Sequence, residues 1–100
     1  MYNTFSPALL TATISVTATS GDVALPTTAF AGAETVLVTN NGPDIAFFRF
    51  GVGAQTALVT DTPILPYTAL VVKRDVATHV AAICNTTETA TLYFTAGTGG

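Results

Sequence analysis

Apolar residues recur along this chain with a period of two, the repeat of a β-strand whose two faces see different environments. Between residues 9 and 19, LLTATISVTAT puts Leu10, Ala12, Ile14, Val16 and Ala18 on one face and Thr11, Thr13, Ser15, Thr17 and Thr19 on the other. The pattern predicts a half-buried strand with a hydroxyl face. Gly21-Asp22 reads as a turn, and Val23-Ala24-Leu25 as a short strand ended by Pro26. Residues 27–33 are small and loop-like, with Phe30 their one large side chain. Residues 34–40 (ETVLVTN) form a second strong β run, rich in the β-branched residues that suit a pleated surface. The stretch Asn40-Asn41-Gly42-Pro43-Asp44 then stacks turn formers, because Asn and Gly tolerate positive φ and Pro holds φ near about −65°. It predicts a hairpin whose second arm is residues 45–50 (IAFFRF), closed by Gly51 and Gly53.

Further along, a short β candidate spans residues 56–60, and Pro63 and Pro66 argue against a helix after it. The β pattern returns at residues 68–74 (TALVVKR), 78–84 (THVAAIC) and 89–95 (TATLYFT), with Asn85-Thr86-Thr87-Glu88 as the turn between the last two. Seven to eight short strands at a spacing of roughly 8–12 residues, with no helix, predict an all-β fold: a single antiparallel β-sandwich or small barrel. Residues 1–9 form an N-terminal arm in this reading, residues 10–95 the β domain, and residues 96–100, with three glycines, a flexible tail.

Composition narrows the partners. With 100 residues the chain has room for one domain and one modest core. Only 9% of residues are charged, about a third of the roughly 25% usual in soluble domains. Twenty threonines and sixteen alanines stand in for the missing charges, and the formal net charge is −3. Arg49, Lys73 and Arg74 are too few to neutralise a nucleic-acid backbone or to hold an anionic membrane, so neither is an expected partner. A mean hydropathy of +0.54 argues against disorder. Residues 1–21 carry no charge, yet threonine and serine interrupt them too often for a spanning helix or a signal peptide.

Candidate chemistry is sparse. One histidine and one cysteine cannot supply a zinc cluster, and His79 and Cys84 lie five positions apart, on opposite faces of a shared strand. Cys84 has no second cysteine for an internal disulfide. Asp22, Asp44, Asp61 and Asp75 all sit near turns, whose own chemistry accounts for them without calcium. Ser6, Ser15 and Ser20 lack the setting of an activated nucleophile, nothing places two acids in a cleft, and the glycine pairs precede no helix. No catalytic, cofactor-binding or metal residue is assigned, and a non-enzymatic role is expected. Arg49 and the group Lys73-Arg74-Asp75 suit a cross-strand pair that sets register, or a contact with an acidic partner. Four aromatics fall outside the best strands: Tyr2 and Phe5 in the arm, Phe30 and Tyr67 in loops. They are candidate interface anchors, with capping of the open ends of the β domain as the equal alternative.

The block ETVLVTNNGPDIAFFRFG (residues 34–51), then Asp61-Thr62-Pro63, LVVKRDVATHVAAIC and TATLYFTAGTGG, resembles small all-β virion proteins of tailed bacteriophages and prophages. The pattern is a V-x-N-x-G-P-x-x-A-F-x-R-F-G stretch, a T-H-V-A-A-I strand and a glycine-rich end, covering about residues 34–100. The resemblance implies a capsid decoration (cement) protein or a head or tail accessory protein, made in the host cytoplasm and carried on the virion, with the capsid surface favoured. Its implied partner is the major capsid protein or another virion protein, and a homo-oligomer is implied, with a trimer favoured. It implies no catalytic residues and no cofactor. Independently, a charge-poor surface with unpaired strand edges has little protection against association, and assembly covers it. The alternative function is a phage tail or surface module that recognises a host receptor or glycan.

Overall fold

A computed structural model describes residues 6–25, 35–73 and 76–98. Within them the period-two segments become eight strands: β1 (Ser6–Val16), β2 (Gly21–Ala24), β3 (Thr35–Pro43), β4 (Ala46–Gly51), β5 (Thr62–Ile64), β6 (Thr68–Lys73), β7 (His79–Cys84) and β8 (Ala90–Thr98). Every pairing is antiparallel, and no helix occurs among the described residues. The strands divide into two four-stranded sheets, ordered β1-β8-β3-β6 and β2-β7-β4-β5.

Both sheets turn one face to a shared core. The first contributes Ile14 and Val16 of β1, Val36 and Val38 of β3, and Leu92 and Phe94 of β8. The second contributes Ala46 and Phe48 of β4, Ile64 of β5, and Val80, Ala82 and Cys84 of β7. Opposed residues in an antiparallel pair share a face, so register carries the apolar row across each sheet. Val38 lies between Phe94 and Leu70, and Val36 between Ala96 and Val72. Burial of each large apolar side chain contributes roughly 1.5–3 kcal/mol. The opposite face of the first sheet presents Thr11, Thr13 and Ser15 of β1, which are exposed, beside Thr91, Tyr93 and Thr95 of β8. The hydroxyl face predicted for β1 is therefore present, and Thr11 and Thr95 hydrogen-bond across it at 3.0 Å.

Connectivity departs from the expected hairpins. Among the described strands, only β4 and β5 are both consecutive and adjacent in a sheet; every other step crosses from one sheet to the other. β3 and β4, expected to pair around Asn40–Asp44, lie in different sheets. The physical reason is Asn40. Alternation from Val36 and Val38 points it inward, where it is fully buried, and a buried amide needs internal partners. The end of β3, the crossing and the neighbouring end of β5 supply them: Nδ2 donates to the carbonyl oxygens of Asp44 and Ile64, both at 3.0 Å, and Oδ1 accepts from the Gly42 N–H at 2.7 Å. Gly42 has φ +76°, a conformation glycine adopts without steric cost, and the Gly42-Pro43 peptide is cis.

Other boundaries shift as well. Residues 56–60 are not a strand; β5 lies just beyond them and contains Pro63, tolerated because β5 is an edge. β1 begins at Ser6, inside the expected arm, and β8 runs to Thr98, inside the expected tail, because Ser6 pairs with Thr98 and Pro7 with Gly97. Replacing Asn40 by Ala removes three hydrogen bonds and strands buried backbone groups, so it is expected to lower the unfolding free energy by about 3 kcal/mol. Urea denaturation of the two proteins measures this; a loss below about 1 kcal/mol would mean that the crossing is held by other contacts.

Candidate functional site

Four crossings between the sheets gather at one end of the molecule: those after β1, β3, β5 and β7. Polar side chains fasten them together. Asn40 links the crossing after β3 to Ile64, and its own carbonyl accepts the Tyr67 N–H at 2.8 Å. Asp44 Oδ2 accepts the Thr89 N–H at 3.0 Å, while the Asp44 N–H donates to the Thr89 carbonyl at 3.1 Å, tying in the crossing after β7. The Cys84 N–H donates to the Thr17 carbonyl at 2.8 Å, which brings in the crossing after β1.

Tyr67 stands at this end, in the turn from Leu65 to Thr68, where the Thr68 hydroxyl donates to the Leu65 carbonyl at 2.7 Å. Its backbone is left-handed, φ +61°, where a bulky L-residue is rare and costs roughly 1–2 kcal/mol. Its side chain is 73% exposed, and the ring occupies the space over Gly42 that a Cβ there would need. An exposed aromatic held where glycine would be cheaper is a feature that stability alone does not explain.

Apolar exposure concentrates along the same side. Eight large apolar side chains are exposed among the described residues, and six of them fall between residues 58 and 71: Leu58, Val59, Leu65, Tyr67, Leu70 and Val71. This segment carries both β5 and β6, the strands that end the two sheets on one side.

The 52–61 loop dresses the outer face of the second sheet instead. Asp22 Oδ1 accepts the Gln55 N–H at 2.9 Å, and Ser20 Oγ accepts the Ala57 N–H at 2.7 Å. On its return, Arg49 forms a two-pronged pair with Asp61, both bonds 2.9 Å, and Asp61 Oδ2 also accepts the Leu58 N–H at 2.7 Å. Asp22, Ala81 and Arg49 form one cross-strand row, so the loop is anchored on both sides of Ala81. Ala81 points away from the core yet is 0% exposed. The Arg49 hydrogen bond, then that of Leu58, holds the Asp61 carboxyl below the usual carboxylate range. Arg49 thus finds its partner beside β5, whereas Lys73 belongs to the other sheet.

The remaining reactive groups are dispersed. Cys84 is buried in the core, and burial, then the charges of Asp44 and Glu88, push its thiol up to about 11, which leaves it protonated and unreactive. His79 lies on the outer face of β7 with Nδ1 3.0 Å from the Thr78 hydroxyl, so the expected separation of His79 and Cys84 is observed. Among the described residues, no three His, Cys, Asp or Glu side chains gather as metal ligands. Nor is any helix there long and apolar enough to cross a membrane. Asp22, Asp44 and Asp61 each bind a backbone N–H, but Asp22 and Asp44 reach distant segments and do not act within local turns. Asp75 lies outside the described residues.

Of the candidate anchors, Tyr67 is exposed at the corner, while Tyr2, Phe5 and Phe30 lie outside the described residues. Leu65, Leu70 and Val71 were not singled out from sequence. One signal was present: residues 69–72 (ALVV) break the apolar and polar alternation, which in an edge strand means an apolar outer side. Comparison with known proteins finds no match for this chain among family models, curated proteins or solved structures.

Two outcomes follow from this geometry. Tyr67→Gly is expected to unfold about 1 kcal/mol harder than Tyr67→Ala, since both lose the ring and only glycine relieves the left-handed backbone; equal stabilities would mean that φ at Tyr67 carries no strain. Because the Asp61 carboxyl is held low, its contribution is present above the ordinary carboxylate range and is lost as pH falls through its lowered value. The Tm of wild type should therefore exceed that of Asp61→Asn near about pH 7, and the gap should close towards about pH 2. A pH-independent gap in thermal melts would contradict this.

Proposed function

We propose that this chain is a jelly-roll β-sandwich serving as a non-enzymatic virion structural protein, one that decorates the assembled head of a tailed phage and reinforces it. The observation that carries the reading is the corner at Leu65 and Tyr67, an exposed apolar pair in which the Tyr67 backbone is held in the left-handed region. Aromatic anchors of this kind dominate protein interfaces. Support comes from the strand orders β1-β8-β3-β6 and β2-β7-β4-β5, with nearly every step crossing between sheets, which match the winding of a jelly roll, an architecture that recurs in viral capsids and in lectins. That is a likeness of architecture, and the site has to supply the function.

A protein surface suits this corner better than a sugar. Glycan sites need convergent polar groups beside an aromatic platform. Here the polar side chains beside Tyr67 and at the neighbouring crossing, Asn40 and Asp44, are already engaged in internal hydrogen bonds. The low charge of the chain agrees with a surface that assembly covers, and many copies repeated by capsid symmetry would build avidity from modest contacts.

Cosedimentation of the purified chain with phage heads that lack it tests the proposal. Binding should saturate at hundreds of copies per head, and Tyr67→Ala should reduce affinity about tenfold or more while retaining a cooperative melt. Saturation at a few to a few dozen copies would place the protein on the tail and favour receptor recognition. No binding would overturn the proposal.

A further inference from the structure

Four strand edges border the two sheets: β1 and β6 in the first, β2 and β5 in the second. β6 adjoins β5 on one side of the molecule, and β1 adjoins β2 on the other. Three edges carry features that discourage pairing. β1 contains Pro7 and a register shift between Pro7 and Thr11, and its outward side chains from Thr11 to Ser15 bear hydroxyls. β2 is four residues long and carries Asp22. β5 is three residues long with Pro63 at its centre, which has no N–H to donate. β6 differs: its six residues include no proline, glycine or acid, its one charge, Lys73, sits at its last position, and Ala69, Leu70 and Val71 in succession are exposed. Among the described residues, no strand lies on the side of β6 away from β3.

We infer that β6 pairs antiparallel with β6 of a second copy of this chain, joining the two first sheets into one continuous sheet of eight strands. The register follows from the faces. Leu70 and Val72 oppose Val38 and Val36 and so face the core, while Ala69, Val71 and Lys73 face outward. A two-fold axis perpendicular to the sheet keeps both cores on the same side, so opposed residues must share a face and the axis must pass through a residue, not between two. Centred on Val71, it sets Val71 against Val71 of the second copy, Leu70 against that copy's Val72, and Ala69 against its Lys73. Each core-facing apolar residue of β6 then meets another, and the row Val36–Val72 continues into Leu70–Val38 of the second copy. Centred on Leu70 instead, Val72 would face Thr68. The two Lys73 side chains stand four residues apart along the ribbon, about 14 Å, beyond one Debye length at physiological salt.

The dimer is a weak one: Ala69, Leu70 and Val71 on the edge itself expose roughly 200 Å² per copy, below what the roughly 1,000 Å² of a standard interface needs, so the strand ladder carries the pairing and it is expected at high concentration. Two-fold dimers are the commonest closed assembly, and the inference stands whether or not the protein decorates a capsid.

Sedimentation equilibrium of the full chain from about 1 μM to about 1 mM tests it. Wild type should show a monomer–dimer equilibrium, and Val71→Lys, which places two ammonium groups at the axis on an outward position, should weaken dimerisation about a hundredfold or more. Val71→Cys should oxidise to a disulfide-linked dimer, because its Cα atoms meet across the axis within disulfide reach, whereas Ala69→Cys should not link to itself. Cys84 is buried and does not compete. A monomer at every concentration, a trimer or larger ring, a dimer indifferent to Val71→Lys, or linking through Ala69→Cys as readily as through Val71→Cys would each overturn the inference.

Discussion

Asn40 has no access to solvent, and an amide so placed must complete its hydrogen bonds inside the protein. Its partners come from three places: Gly42 near the end of β3, Asp44 in the crossing after it, and Ile64 at the end of β5. Its main-chain carbonyl takes the N–H of Tyr67 in the turn that follows. Asp44 extends the set to Thr89 in the crossing after β7. One end of the two sheets is thereby fastened by a handful of polar contacts, from the buried ones of Asn40 to the exposed one of Asp44. The unusual backbone of Tyr67 belongs to that closure: its N–H is held by Asn40, its ring lies over Gly42, and the left-handed turn presents the side chain to solvent.

Scarcity of charge shapes the rest. Each described aspartate spends a carboxylate oxygen on a backbone N–H, at Gln55, Thr89 or Leu58, so the few charges act as tethers for crossings and loops. Two of these tethers, with Ser20 and Arg49, lay the 52–61 loop across the second sheet. The two sheets consequently differ in what they show. The second has its outer face covered around Ala81; among the described residues, the first presents hydroxyls on its outer face and exposed apolar side chains on β6.

Much of the strand pattern was legible in the residues. The threonine face of β1, the β-branched run of β3 and the placement of His79 and Cys84 on opposite sides of β7 all follow from alternation. The hairpin expected at Asn40–Asp44 does not form, because turn-forming residues say that the chain reverses and not which sheet it enters. Tyr67 was legible as a loop aromatic, but its strain was not: Pro66-Tyr67 looks like any turn until φ is known. The loop over Ala81 was illegible for a similar reason, since its anchors Ser20 and Asp22 lie more than thirty residues from the groups they bind.

By itself, then, the amino-acid order determined the all-β class, the approximate strand positions and which residues of most strands face inward. These depend on the alternation of successive Cβ atoms, a property of neighbouring residues. It also determined that Asn40, two positions beyond Val38, would point the same way as Val36 and Val38. Only the tertiary structure decided what that buried amide would bind, which strands became neighbours, and that β6 ends the first sheet among the described strands. Those outcomes rest on contacts between segments far apart in the chain, chosen by which arrangement satisfies the buried polar groups while closing the apolar core, and no local pattern encodes that choice.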